Sequence, residues 1–384
     1  MNTVMLNTAH LDGAPIIKKG SGGGGGGGTA PSRPTYTGHA DVEGLKAIGW
    51  DDEDIAYYQA NGVNWNEEDD EYHKVTDDNK ALYGVLTADN IQTYKDRIVY
   101  LPKIDTSANN SMRRTFKSCY SLVAIPKIDT SNVLTMYGMF EDCYSLASIP
   151  PLDTQKVTIT GNMFSGCYSL PSIPQLNTQY VTDMSYMFRS CSSLTSVPQL
   201  NTQHVTNMTS MFSSCSSLTS VPQLDTSKVN IMDSMFSYCY ALLSVPQLDT
   251  SKVTNMYSMF NQCYSLTSIP MLDTSNVTNM TSMFDRCYTL TSIPMLDASN
   301  IANISELNTY GYSLTNIKIK NAKSNWSLRH AIHLSKESLI YLINNEAATS
   351  AITITLNSYA YERLATDADV VEALTNHPNI TLAK

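Results

Sequence analysis

Between residues 98 and 300 the apolar side chains recur mostly at every third position. The order is Val-x-x-Met-x-x-Met-Phe-x-x-Cys-x-x-Leu-x-x-Val-Pro-x-Leu. A helix of 3.6-residue period would drift off this rhythm, and a half-buried strand would alternate by two. Spacing of three predicts 3₁₀ turns and extended segments wound into one coil. The proline that follows the Val narrows the extended part, because proline cannot donate to a ladder and sits where a strand begins, ends or kinks. A short parallel strand is predicted around Leu-x-x-Val-Pro-x-Leu, with the following Asp/Asn-Thr step turning the chain. Met-Phe-x-x-Cys then forms the opposite, convex wall.

The coils are counted by two residue types. All eight cysteines, Cys119, Cys143, Cys167, Cys191, Cys215, Cys239, Cys263 and Cys287, lie 24 residues apart. The eight phenylalanines, Phe116, Phe140, Phe164, Phe188, Phe212, Phe236, Phe260 and Phe284, each stand three residues ahead of one of them. A strict repeat period decides the fold before any local reading does. One coil cannot bury its Phe, Met and Leu alone, whereas stacked coils bury them as continuous ladders, so the chain is read as an α/β repeat solenoid. Nine or so coils at ~4.8 Å give roughly 43 Å along the sheet. A partial coil, IVYLPKIDTS, opens the array at Ile98. The pattern decays after Cys287, although Leu307, Gly311, Leu314 and Ile317 keep repeat positions. Beyond residue 320 helix and strand alternate through LSKESLIYLINN, AITITL, DADVVEALTN and NITLA, with Ser335 as a helix cap. This tail is read as a terminal cap over the open end of the stack.

The first hundred residues differ in character. Residues 1–38 form a leader and a flexible linker, Gly20 to Gly28 interrupted only by Ser21. No Gly-Lys-Ser/Thr follows these glycines, so they do not make a phosphate-binding loop. Residues 39–97 are predicted to form an acidic helical unit. With Ile98 this stretch holds fifteen Asp/Glu against five Lys/Arg, which accounts for the whole net charge of −10. Two short helices there suggest a helix-turn-helix, but the acidity opposes DNA binding. The run 64–79 lacks the spaced acids and glycine of an EF-hand loop and is read as a solvated acidic loop. No basic stripe suits nucleic acid, no segment is long enough for a transmembrane helix, and the start does not read as a secretory signal peptide.

A unit such as MFSSCSSLTSVPQLDTSKV resembles the BspA-like leucine-rich repeats of bacterial surface proteins and gut phage genomes. The resemblance covers roughly residues 98–320. Met-Phe-x-x-Cys-x-x-Leu recurs in seven units, and Thr115 replaces the Met in the first. It departs from the general Leu-x-x-Leu-x-Leu rule by placing Pro-x between two apolar positions. The resemblance implies adhesion and protein or glycan binding, without catalytic residues. The chain thus divides into 1–38, 39–97, a leucine-rich-repeat solenoid over 98–320 and a helix–strand cap over 321–384.

Eight cysteines raise disulfides and metal. Equivalent Cβ atoms in a stack lie at least ~4.8 Å apart and point the same way, whereas a disulfide needs ~3.8 Å and facing vectors. A single-file column cannot surround a zinc ion. Buried free thiols acting as small apolar packers are expected, in keeping with folding in a reducing cytosol. His330 and His333 have no partner cluster, and no cofactor or metal is expected. Tyrosine follows the cysteine in six units (Tyr120, Tyr144, Tyr168, Tyr240, Tyr264, Tyr288), either as a stacking platform for sugars or as packing between coils. The candidate binding face is the row Gln175, Gln199, Gln223 and Gln247, flanked by Ser196, Ser220 and Ser244. The expectation is a non-enzymatic solenoid recognising a cell-surface protein or glycan, carried on a phage virion and joined to other virion proteins through its N-terminal region. A bacterial surface or secreted adhesin is the alternative.

Overall fold

A computed structural model describes Asp52 and residues 106–304, 307, 310–345 and 351–384. The leader, the acidic unit apart from Asp52, and most of the partial coil lie outside the described residues. From Thr106 onward the chain winds into stacked 24-residue coils around one continuous apolar core. The eight Phe side chains are fully buried, and neighbouring rings stack with centroids 5.3–5.8 Å apart. Successive coils thereby supply the ring faces that a single coil would leave in water.

The Met-Phe-x-x-Cys wall is built differently from a 3₁₀ run. In the coil ending at Cys215, every second N–H closes an i→i−3 turn: Met211 onto Met208, Ser213 onto Ser210 and Cys215 onto Phe212, at 3.1–3.2 Å. The alternate N–H groups leave the coil altogether. Met208, Ser210, Phe212 and Ser214 donate to the carbonyls of Ile231, Asp233, Met235 and Ser237 in the next coil, at 2.7–3.2 Å. This alternation requires left-handed backbone at two positions per coil, five residues and one residue before the cysteine. Ser210 (φ 52°) and Ser214 (φ 63°) hold them here. Glycine fills the equivalent positions only at Gly138 and Gly166. Elsewhere Ser, Asn, Asp, Gln, Tyr and Arg adopt a conformation that costs an L-residue roughly 1–2 kcal/mol.

The proline face departs from the sequence expectation. No strand runs through Leu-x-x-Val-Pro-x-Leu in the coils from Leu122 to Leu272. Coil-to-coil bridging falls instead on single residues two beyond the buried Val, Ser111↔Thr135 through Asn255↔Asn279, all parallel. The physical reason is the proline column itself, which removes a donor at the same level of every coil. A strand appears only where that column ends. β1 (Ser292–Asp297) pairs in parallel with β2 (Asn316–Lys320), whose residue opposite Pro294 in the repeat is Lys318. Even there the register shifts between Ile293 and Leu296, around Pro294 and Met295.

The described part of the last 60 residues alternates strand and helix. β3 (Trp326–Leu328), β4 (Ile352–Leu356) and β5 (Ile380–Ala383) form a parallel sheet in that order. Helix α1 (Lys336–Asn344) follows β3, with the Ser335 hydroxyl accepting from the Ser338 N–H at its start. The Ser338 hydroxyl then accepts from the Ile317 N–H, which ties α1 to β2. Helices α2 (Ser358–Leu364) and α3 (Ala368–Asn376) separate β4 from β5. The sequence pattern predicts every one of these helices except α2, whose signal is short: the Asn357 cap and a buried pair, Ala360 and Leu364.

The left-handed sites generate a stability prediction. At Gly166 (φ 78°) an added Cβ would lie 2.7 Å from Asp142 Oδ1 and 3.2 Å from the Asp142 Cα. Gly166→Ala should therefore lower the unfolding free energy by more than the ~1–2 kcal/mol of left-handed strain alone. Ser214→Gly should leave it unchanged or raise it, and Ser214→Val should lower it. Urea titration followed by circular dichroism checks the order, and a stabilising Gly166→Ala would refute the account.

Candidate binding groove

The turn after the proline carries three columns that bond from coil to coil. First, the buried threonines reach across: Thr178 Oγ1 donates to the Asn201 carbonyl at 2.9 Å and accepts from the Asn201 N–H at 2.8 Å. Thr202, Thr226, Thr250 and Thr274 make the same hydroxyl–carbonyl bond at 2.9–3.0 Å. A hydroxyl buried without such partners would be destabilising. Second, the Asp or Asn before each threonine folds its own turn. Asp225 Oδ1 accepts from the Ser227 N–H and hydroxyl at 3.0 and 2.7 Å, and these bonds hold its carboxyl below the usual carboxylate range. Asn177 and Asn201 accept in the same way from the Gln179 and Gln203 N–H groups, at 3.1 and 3.2 Å.

The third column is the glutamine row. Gln175 Nε2 donates to the Leu176 carbonyl at 3.0 Å and to the Gln199 carbonyl of the next coil at 2.7 Å. Gln199 and Gln223 repeat this pair of bonds onto the next glutamine, and Gln247 repeats it onto Met271. Two carbonyls oppose each amide nitrogen, so both its hydrogens are used and Oε1 remains as an acceptor. These side chains thus clip coils together at the level where proline interrupts the backbone ladder.

Along these columns runs an open groove of about 1090 Å³, from Pro151 to Asp225. Gln175, Gln199 and Gln223 line it; Gln247 does not, nor do Ser196, Ser220 and Ser244, which are exposed elsewhere on the surface. Asp153, Asn177, Asn201 and Asp225 line it as well. Sequence reasoning takes these four for turn residues only; their recurrence two places after the glutamine level was the available signal. The lining contains no Lys or Arg.

The matched family model spans these same coils. A model described as "Mycoplasma protein of unknown function, DUF285" matches residues 90–196, 162–263 and 242–336. The chain belongs to this family. Among solved structures, the chain is similar to the leucine-rich repeat protein TpLRR of T. pallidum, at 22% identity and TM-score 0.29, over 50% of this chain and 72% of that one. A leucine-rich repeat protein from Eubacterium ventriosum is similar at 14% identity and TM-score 0.26, over 60% of this chain and 84% of that one. The solenoid described above stands on its own coil-to-coil bonds rather than on these likenesses. No curated protein matches the chain.

In the DUF285 coils the cysteines are all free and buried. From Cys143 to Cys287 each Sγ donates to the Phe carbonyl of the preceding coil, at 3.0–3.2 Å. Burial pushes these thiols upward, Cys239 to about 12. The tyrosines stack on one another: Tyr120, Tyr144 and Tyr168 in one run and Tyr240, Tyr264 and Tyr288 in another, centroids 4.7–5.0 Å apart. Ser192 and Ser216 separate the two runs. His330 stacks on Tyr310 at 4.7 Å. Among the described residues no group of three or more His, Cys, Asp or Glu is placed to hold a metal ion, and no helix is long and apolar enough to cross a membrane.

Two predictions come from this geometry. Gln199→Ala should lower stability by about 0.5–1.5 kcal/mol for each bond lost, toward the low end because the side chain is exposed. Gln199→Glu should cost more at neutral pH, where a carboxylate faces two carbonyls, and should recover as acid protonates it. Thermal melts at pH 7 and pH 4 test this. For the thiols, iodoacetamide at pH 8 should leave the native cysteines unmodified and alkylate all eight in denaturant, as read by intact mass. Rapid alkylation of the native chain would contradict the buried column.

Proposed function

We propose that the chain is a non-enzymatic binding scaffold whose groove face recognises a protein or glycan on a cell surface. The observation that carries this reading is the groove from Pro151 to Asp225, lined at successive coils by polar side chains held in place by coil-to-coil bonds. Rigid, regularly repeated polar groups on a solenoid suit recognition of an extended ligand. The absence of Lys and Arg from the lining is consistent with a partner other than nucleic acid. In this reading the scaffold is carried on a phage virion, and residues 1–97 connect it to other virion proteins. The resemblance to surface repeats of phage genomes and the glycine linker support it.

A bacterial surface or secreted protein is the second reading. It draws support from the family's description as a Mycoplasma protein. Mass spectrometry of purified particles against fractionated cells separates the two. Presence in particles is the expected result, and presence only on the outside of intact bacteria would favour the second. In either case the full chain should bind intact target cells, measured by flow cytometry, and absence of binding to every cell type tried would remove the adhesion reading.

A further inference from the structure

We propose that the groove binds an uncharged, hydroxyl-rich linear glycan lying along the solenoid axis, about one sugar to a coil. This rests on the groove being the binding face. Its distinguishing feature is the pairing of opposite hydrogen-bonding characters at each central coil. The glutamine amides spend both hydrogens on backbone carbonyls, so Gln175 and Gln199 offer Oε1 as an acceptor. The asparagines do the reverse. Asn177 and Asn201 spend Oδ1 on the Gln179 and Gln203 N–H groups, which leaves Nδ2 as a donor. An acceptor beside a donor, repeated from coil to coil, matches a hydroxyl group, which donates and accepts at once.

The ends of the groove add to the selection. Asp153 and Asp225 stand there as carboxylates, acceptors for further hydroxyls, and the lining has no cation to neutralise an acidic sugar. Sulfated or sialylated chains are therefore excluded by repulsion and by the cost of an unpaired charge.

The rise of the coils argues against a peptide. Rings in successive coils lie 4.7–5.0 Å apart for tyrosine and 5.3–5.8 Å for phenylalanine, which brackets the step along the axis. An extended peptide repeats its same-face side chains every ~6.7 Å, so it loses register within two or three coils. Strand addition is disfavoured as well, because one lone pair of each of the Gln199, Gln223 and Gln247 carbonyls is already taken by a glutamine amide. A chain of pyranoses, advancing one ring length per residue, keeps closer step.

The test is isothermal titration of the full chain with cellohexaose, maltohexaose and mannohexaose, beside dextran sulfate and hexalysine. At least one neutral oligosaccharide should bind, and the two charged probes should not. The decisive variant is the double substitution Asn177→Asp and Asn201→Asp. It preserves the turn, since Asp225 makes the same Oδ1 bond in its own coil, but it removes both Nδ2 donors. Neutral-glycan affinity should fall at least tenfold while the melting temperature stays within a degree or two of the parent. Unchanged affinity in the variant overturns the proposal, as does equal or tighter binding of dextran sulfate or hexalysine. If no glycan binds while cell-surface binding persists, the ligand class alone is refuted. Loss of neither activity when the groove is altered would remove the binding face itself.

Discussion

The structure depends on hydrogen bonds that leave one coil for the next. A 24-residue coil of this composition has too little regular secondary structure to satisfy its own backbone, and an unpaired buried N–H or carbonyl is costly. The wall meets that demand by sending every second N–H to the following coil. Left-handed backbone at two points per coil makes this possible, and most of those points are occupied by residues other than glycine. Local strain is therefore accepted throughout the array in exchange for a continuous network. The stacked Phe rings fill the space that this network encloses.

Where the backbone cannot bond, side chains take over. The proline column interrupts the ladder at one level of each coil, and at that level glutamine amides and threonine hydroxyls reach the neighbouring carbonyls. The thiols from Cys143 to Cys287 serve similarly inside the wall, since each donates to a phenylalanine carbonyl one coil away. The same side chains that support the turns also shape the groove. Polar surface and structural bonding are consequently not separable there, and a substitution in the glutamine row acts on both.

Much of this was legible in the chain. The common 24-residue spacing of Phe and Cys predicts stacked columns, and the Phe rings and thiols do form columns. Strand placement was not legible, because the apolar spacing around Val-Pro-x-Leu is equally compatible with an extended segment that never pairs. The left-handed positions were hidden for a different reason: Ser210 and Ser214 carry no glycine signature. The glutamine row was visible as a row, but its donors are turned inward onto carbonyls. Asn177 and Asn201, read only as turn formers, turn out to line the groove.

The wall's bonds all run the same way along the axis. Within the wall, the N–H groups of Met136, Gly138, Phe140 and Asp142 and their equivalents donate toward the C-terminal end of the stack, whereas N–H groups outside it, such as those of Thr182 and Thr206, donate toward the N-terminal end. Aligned peptide dipoles add, as they do in a helix, so the wall acts as an electrical line with its negative pole at the N-terminal end. Arg113, Arg114 and Lys117 stand in the first described coil, on the side of that pole, a favourable placement for cations. Inserting or deleting a 24-residue unit therefore changes the polarisation of this wall as well as the length of the array.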